Sequence, residues 1–151
     1  MRLALSEAYK GAKKGEGGPF GAVIVRGAKV IARAHNKVLK SKDPTQHAEM
    51  RAISMASRKL GRYDLSDCEI YSTTESCPMC FSAIHWARIK RLTFGTRIQD
   101  VWKIGFNEMP IPARKMKSLG RTPMLVEGSF LRQECLELLR YWNSLPGKKV
   151  Y

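Results

Sequence analysis

The chain has 151 residues, 44% of them apolar and 26% charged, a balance that suits one domain with a sizeable core and argues against a second. No apolar run approaches the roughly 18 residues of a membrane span, and Met1 opens on a mixed, charged stretch, so no anchor or signal segment is read and a cytoplasmic location is expected. The net charge of +14 raises the question of a nucleic-acid partner, but both halves of the chain share the excess; the plainer reading is a solvated basic surface.

Residues 2–14 set Leu3, Leu5, Ala8, Tyr9 and Ala12 near helical spacing, and Gly15-Glu16-Gly17-Gly18-Pro19 ends that helix. Phe20 to Val25 and Val30 to Ala34 are short apolar β-type runs joined by Arg26-Gly27-Ala28-Lys29, a predicted hairpin, with Asn36 just past the second. Residues 40–44 read as a loop. A helix is predicted from near Thr45 to about Leu60, with Met50, Ile53, Met55, Ala56 and Leu60 available for packing and His47 and Glu49 in its first turn. Positions two apart diverge by roughly 200° inside a regular helix, so only a helix end aims both side chains at one point.

Cys68 to Thr74 is a third strand that delivers Glu75-Ser76-Cys77, and Pro78 suits the first turn of the helix that follows, where its missing N–H costs little. Cys77 and Cys80 then face one point from that helix start, with the dipole favouring thiolate. The helix runs through Ala83 to Ala87 into a fourth strand, Arg91 to Gly95, and this length of strand, helix and strand implies a parallel crossover. Residues 96–120 are less regular. Pro123 to Val126 reads as a fifth strand and Phe130 to Trp142 as a last amphipathic helix; residues 145–151 form a tail.

The chemistry is carried by His47-Ala48-Glu49 and, 30 positions after the histidine, Cys77-Pro78-Met79-Cys80. A catalytic zinc site needs three N or S ligands and a fourth position left for water, which the metal acidifies toward neutral pH. His47, Cys77 and Cys80 meet that need. Glu49 sits where it can take a proton from the water and pass it to a leaving amine without being a ligand. H-x-E with a later P-C-x-x-C marks the zinc-dependent nucleobase deaminases, and Ser76 stands here in place of the proline. A structural zinc would want a fourth ligand. Cys68, Cys135, His35 and His85 qualify by type, but none has close spacing to the C-x-x-C; Cys68 and Cys135 read as core residues and His85 as a packed or surface one. Glu75 either orders backbone or ligand groups or is a solvated charge at a strand end.

With these motifs in place the chain resembles the cytidine-deaminase-like superfamily, and within it the bacterial-type guanine deaminases. Gly17-Gly18-Pro19-Phe20-Gly21-Ala22, Asp43-Pro44-Thr45-Gln46-His47-Ala48-Glu49, the Trp86 context, Gly105-Phe106 and an aromatic end after Lys148-Lys149 carry the likeness. It implies a three-layer α/β fold with a five-stranded mixed sheet between helices, one zinc ion per chain and hydrolytic deamination of a purine base. It also implies a homodimer that exchanges its C-terminal segment. Carried over by position, Asn36 would hydrogen-bond the purine, Phe20 and Trp86 would line or stack on it, and Tyr151 would cap it. Glu108 stands where the family has aspartate, in a role of base recognition or proton movement. Three other readings remain: a tRNA adenosine deaminase, which shares fold and motif and would use a basic surface; a deaminase of a related nucleoside or amino-heterocycle; and a zinc-stabilised nucleic-acid-binding module without chemistry, which leaves Glu49 unexplained.

Overall fold

A computed structural model describes residues 1–151. The chain runs α1 (Arg2–Lys13), β1 (Gly21–Arg26), β2 (Lys29–His35), α2 (Val38–Ser41), α3 (Ala48–Leu60), β3 (Glu69–Thr74), α4 (Pro78–Trp86), β4 (Arg91–Thr96), α5 (Ile98–Trp102), α6 (Ala113–Leu119), β5 (Leu125–Glu127) and α7 (Arg132–Ser144). The five strands form one mixed sheet in the order β2-β1-β3-β4-β5. β1 is antiparallel to both β2 and β3, while β3, β4 and β5 run parallel, so α4 is the crossover that the spacing of its flanking strands requires. α1 packs with α7 against the sheet, and α3 with α4 forms the second helical layer. None of the helices is long and apolar enough to cross a membrane.

Residue size decides how closely the layers approach. On α3 the face turned to the sheet is Ala48, Ala52 and Ala56, all fully buried, a stripe of small residues at four-residue spacing. Met55 is exposed and Met50 half-buried, so the packing expected of the two methionines falls to the alanines; the larger side chains sit on the flank and outer side of the helix. Cys68 and Cys135 are buried free thiols, as a core role requires. The loop expected at 40–44 begins with the short α2, and the irregular stretch 96–120 holds α5 and α6. These helices have four, five and seven residues, too short to show a hydrophobic period.

α1 lies almost on the backbone of β1. A Cβ at Gly21 would stand 2.1 Å from the Ala4 carbonyl oxygen and 2.9 Å from the Ala8 nitrogen, both of them main-chain atoms that cannot rotate away. Gly21→Ala should therefore push α1 off the sheet and destabilise the fold by about 1–3 kcal/mol, read as a lower urea midpoint. An unchanged midpoint would mean that α1 does not bear on this backbone.

Candidate active site

The three donor residues sit where two helices begin. His47 and Cys77 are the residues just before α3 and α4, both in extended backbone (φ −64°, ψ 156° and φ −62°, ψ 166°), and Pro78 opens α4. Because His47 lies outside the helix, it escapes the divergence that two helical positions would impose and shares a site with Glu49. His47 Nδ1 and Cys77 Sγ are 3.7 Å apart, and the donor atoms of His47, Cys77 and Cys80 all lie within 4.8 Å of one another. Tetrahedral zinc with bonds of about 2.3 Å to sulfur and 2.0 Å to nitrogen would hold such a pair about 3.6 Å apart, so the group fits the metal. No fourth histidine, cysteine or carboxylate joins it.

The protein prepares these groups electrostatically. The Cys80 thiol donates to Cys77, and with His47 beside it the Cys77 thiol is lowered to about 4 despite burial. Cys80 is pushed well above the ordinary thiol range by that same bond and by burial. Burial opposes protonation of His47, but the bond to Cys77 and the charges of Glu49, Cys77 and Glu108 outweigh it and raise its pKa. These shifts favour the thiolate at Cys77, and a zinc ion held by His47, Cys77 and Cys80 would require both thiols and the imidazole in their deprotonated forms. Cys77→Ala should leave zinc well below one per chain by atomic absorption; stoichiometric zinc in that variant would place the metal elsewhere.

Glu49 is buried, and its Oε1 accepts hydrogen bonds from Ser72 and Ser76, each at 3.0 Å. Ser76, the departure from the sequence pattern, supplies a hydroxyl that proline lacks. Glu75 resolves as a buried staple: its Oε1 accepts from Ala113 N at 2.8 Å and its Oε2 from Ile98 N at 3.3 Å, tying the end of β3 to the starts of α5 and α6.

Asn36 is fully buried, with Oδ1 accepting from Val38 N at 3.0 Å, while its Nδ2 lies near the Tyr151 hydroxyl and makes no hydrogen bond of good geometry. Gly17 allows this placement, since a Cβ there would lie 2.1 Å from Asn36 Oδ1. Phe20 meets Phe106 edge-on at 5.0 Å, and Phe106 meets Tyr151 edge-on at 5.4 Å and Trp142 at 4.9 Å. The Tyr151 hydroxyl accepts from Gly18 N at 3.2 Å, which folds the tail back over its own chain. Burial, then the Cys77 charge, raise the Glu108 pKa to about 7. Phe106, which the Gly105-Phe106 stretch of the resemblance marks, belongs to this neighbourhood, and so does Ser72, which no motif marks.

Trp86 does not join its own chain's site. It closes α4, nine residues beyond Cys77, and at about 1.5 Å per helical residue it stands roughly 13 Å away. It is 77% exposed, its ring against His85, so the stacking expected of it is not made within the chain. His85 Nδ1 pairs with Thr122 Oγ1 at 3.0 Å.

His35 is committed elsewhere too. Its Nδ1 faces Glu7 Oε2 at 3.1 Å and its Nε2 faces Glu16 Oε2 at 2.8 Å, all three side chains buried. This clamp joins α1, the glycine loop and the end of β2, and so fixes the backbone that presents Asn36. The His35 bond, then Lys40, lower Glu16 from 4.5 to about 2. A depressed carboxylate stabilises the fold above its unfolded pKa and loses that effect as pH falls through the folded one. The urea midpoint should therefore drop between about pH 4.5 and 2, less steeply in Glu16→Gln; parallel profiles would remove Glu16 from the clamp.

An α/β three-layer sandwich whose paired helix starts hold three metal ligands, an open coordination position and a buried carboxylate defines a zinc-dependent hydrolytic enzyme. Residues 1–96 match the cytidine and deoxycytidylate deaminase zinc-binding region. The chain is 44% identical over 151 residues to the guanine deaminase of Bacillus subtilis (strain 168), covering all of this chain and 96% of that one. It is 46% identical over 94 residues to the tRNA-specific adenosine deaminase of Aquifex aeolicus (strain VF5), covering 62% of each. A structure of the guanine deaminase from Nitrosomonas europaea superimposes with a TM-score of 0.88 at 32% identity, over 95% of this chain and 82% of that one. The chain belongs to the cytidine and deoxycytidylate deaminase family, and it takes one zinc ion.

Proposed function

We propose that this enzyme deaminates guanine, releasing xanthine and ammonia, with Glu49 as its acid and base. The observation that carries the reading is the Asn36 amide: a buried donor that makes no hydrogen bond of good geometry, beside the glycine loop that also holds Tyr151. A buried unpaired donor is costly, and an acceptor on a flat base would satisfy it. Phe20 borders the ring, and Tyr151 caps it.

Zinc, when bound, supplies the Lewis acidity that makes a water nucleophilic near neutral pH. Glu49 takes a proton from the attacking water and delivers it to the amino nitrogen, which leaves as ammonia while the ring carbon becomes a carbonyl. The Ser72 and Ser76 hydroxyls fix Glu49 through one oxygen, leaving the other for proton transfer. Glu108, poised near neutrality, holds an N–H of the base or passes on a second proton. Trp86 takes no part within the chain. Two copies exchanging residues 145–151 would deliver Tyr151 to the same place, since the segment leaves α7 at Ser144 through Pro146-Gly147. We assign the enzyme to the cytoplasm.

A polynucleotide would have to displace the Tyr151 lid, which favours a free base over tRNA. Ammonia release should be assayed with guanine, guanosine, adenine, cytosine, cytidine and tRNA in parallel. Guanine-selective release is expected and should barely respond to salt; release from tRNA alone, weakening steeply with salt, would transfer the assignment to adenosine in RNA. Glu49→Ala should keep its zinc and lose about 10²–10⁴ in turnover, whereas near-wild-type rates in that variant would sink the acid–base role.

A further inference from the structure

The largest cavity of the chain is not the deaminase pocket. A cleft of about 640 Å³ opens between the end of α1, the glycine loop, α2 and the C-terminal segment. None of His47, Glu49, Cys77, Cys80, Asn36 or Tyr151 lines it. Five lysines do, Lys13, Lys14, Lys40, Lys148 and Lys149, and Glu16 is the one acidic residue among them, leaving four net positive charges.

Glu16 pairs with one of the five, Lys40, and leaves the other four unmatched. Its Oε2 is engaged by His35 and Lys37 and its Oε1 by Lys40 at 2.7 Å. Lys13, Lys14 and Lys149 make no ion pair, and the Lys148 ammonium donates to the Asn143 carbonyl rather than to a carboxylate. The carbonyls of Gly11 and Ala12 are already bonded to the N–H groups of Lys14, Gly15 and Glu16. Ala12, Trp142 and Leu145 make part of the lining apolar, which strengthens charge interactions above it. Ammonium groups gathered from both walls of one cleft repel each other unless an anion lies between them.

We propose that this cleft is a regulatory site for a linear polyphosphate, inorganic or as the triphosphate of a nucleotide, whose binding pins the C-terminal segment. Lys13 and Lys14 belong to the body and Lys148 and Lys149 to the tail, so a chain of phosphates bridges the two. Tyr151 follows Lys149 by two residues and is anchored on Gly18, beside the loop that forms the other wall. The binding claim stands independently of the guanine reading; the effect on turnover rests on it.

The test uses the zinc-loaded full chain at physiological salt, with calorimetric titration of tripolyphosphate, ATP, GTP and inorganic monophosphate. Saturable binding of the first three, with monophosphate weaker, is expected; a preference among them tells whether a nucleoside adds contacts. Lys13→Gln/Lys149→Gln should weaken binding about tenfold while melting temperature and zinc content stay unchanged. A carboxypeptidase selective for aromatic and aliphatic ends should trim Tyr151 and Val150 several-fold more slowly in bound protein, and KM for the base should fall. No saturable binding, equal binding by the double variant, or trimming at the same rate would overturn the proposal. So would an RNA oligomer that binds while tripolyphosphate does not, which would assign the cleft to a nucleic-acid backbone. Should binding and protection hold while no base is turned over, the deamination reading fails and the site remains.

Discussion

The metal site depends on one geometric constraint: two helices must start side by side at the same end of the sheet. A histidine or cysteine just before a helix has extended backbone and swings into the space between the two helix starts, while a residue inside the helix follows the helical period. Here His47 and Cys77 take the outside positions and Cys80 and Glu49 the first turns. The sheet enforces the alignment, since the parallel pair β3 and β4 needs α4 as its crossover and β3 ends three residues before Cys77. The alanine stripe of α3 then lets that helix come close enough for His47 to meet the thiols.

What the sequence reveals follows from how local each feature is. The hairpin, the C-x-x-C helix start with its proline, the crossover and the metal ligands each occupy a short window with its own physical signature. The His35 clamp joins positions 7, 16 and 35, and no local pattern announces it. Ser72 is an ordinary strand residue until folding sets its hydroxyl on Glu49. Trp86 shows the opposite case: the resemblance places it at the base, whereas within the chain α4 takes that side chain to its far end, where it is exposed. Of the residues the helical spacing of α3 offers for packing, Ala56 reaches the core and Ile53 and Leu60 pack against it, while Met55 stays exposed because close helix–sheet packing selects alanine.

The basic composition also divides once it is placed in space. Some of the excess is paired locally, as Arg132 with Asp100 and Arg91 with Glu127. Lys37 and Lys40 are consumed by Glu16. Of the basic residues without a carboxylate partner, Lys13, Lys14, Lys148 and Lys149 meet at one cleft while the rest are spread over the surface, a grouping that the linear sequence hides because Lys13 and Lys149 lie at opposite ends of the chain. A charge total sets solubility and the sign of the long-range field; only the fold says which charges lack partners.

Residues 16–18 link these features. Glu16 anchors the loop to His35, Gly17 makes room for Asn36, and the Gly18 N–H holds the Tyr151 hydroxyl. On the proposed reading the loop would bear on base recognition and on the lid together, while it contributes none of the three metal ligands. A change there would then alter how the base is held and leave the ligand geometry in place, because the helix starts that carry His47 and Cys77 are set by the sheet. Separating a rigid reacting centre from an adjustable mouth lets a single family motif serve different substrates, and it accounts for why the zinc motif alone names the superfamily while the glycine loop and the last residue carry the finer identity.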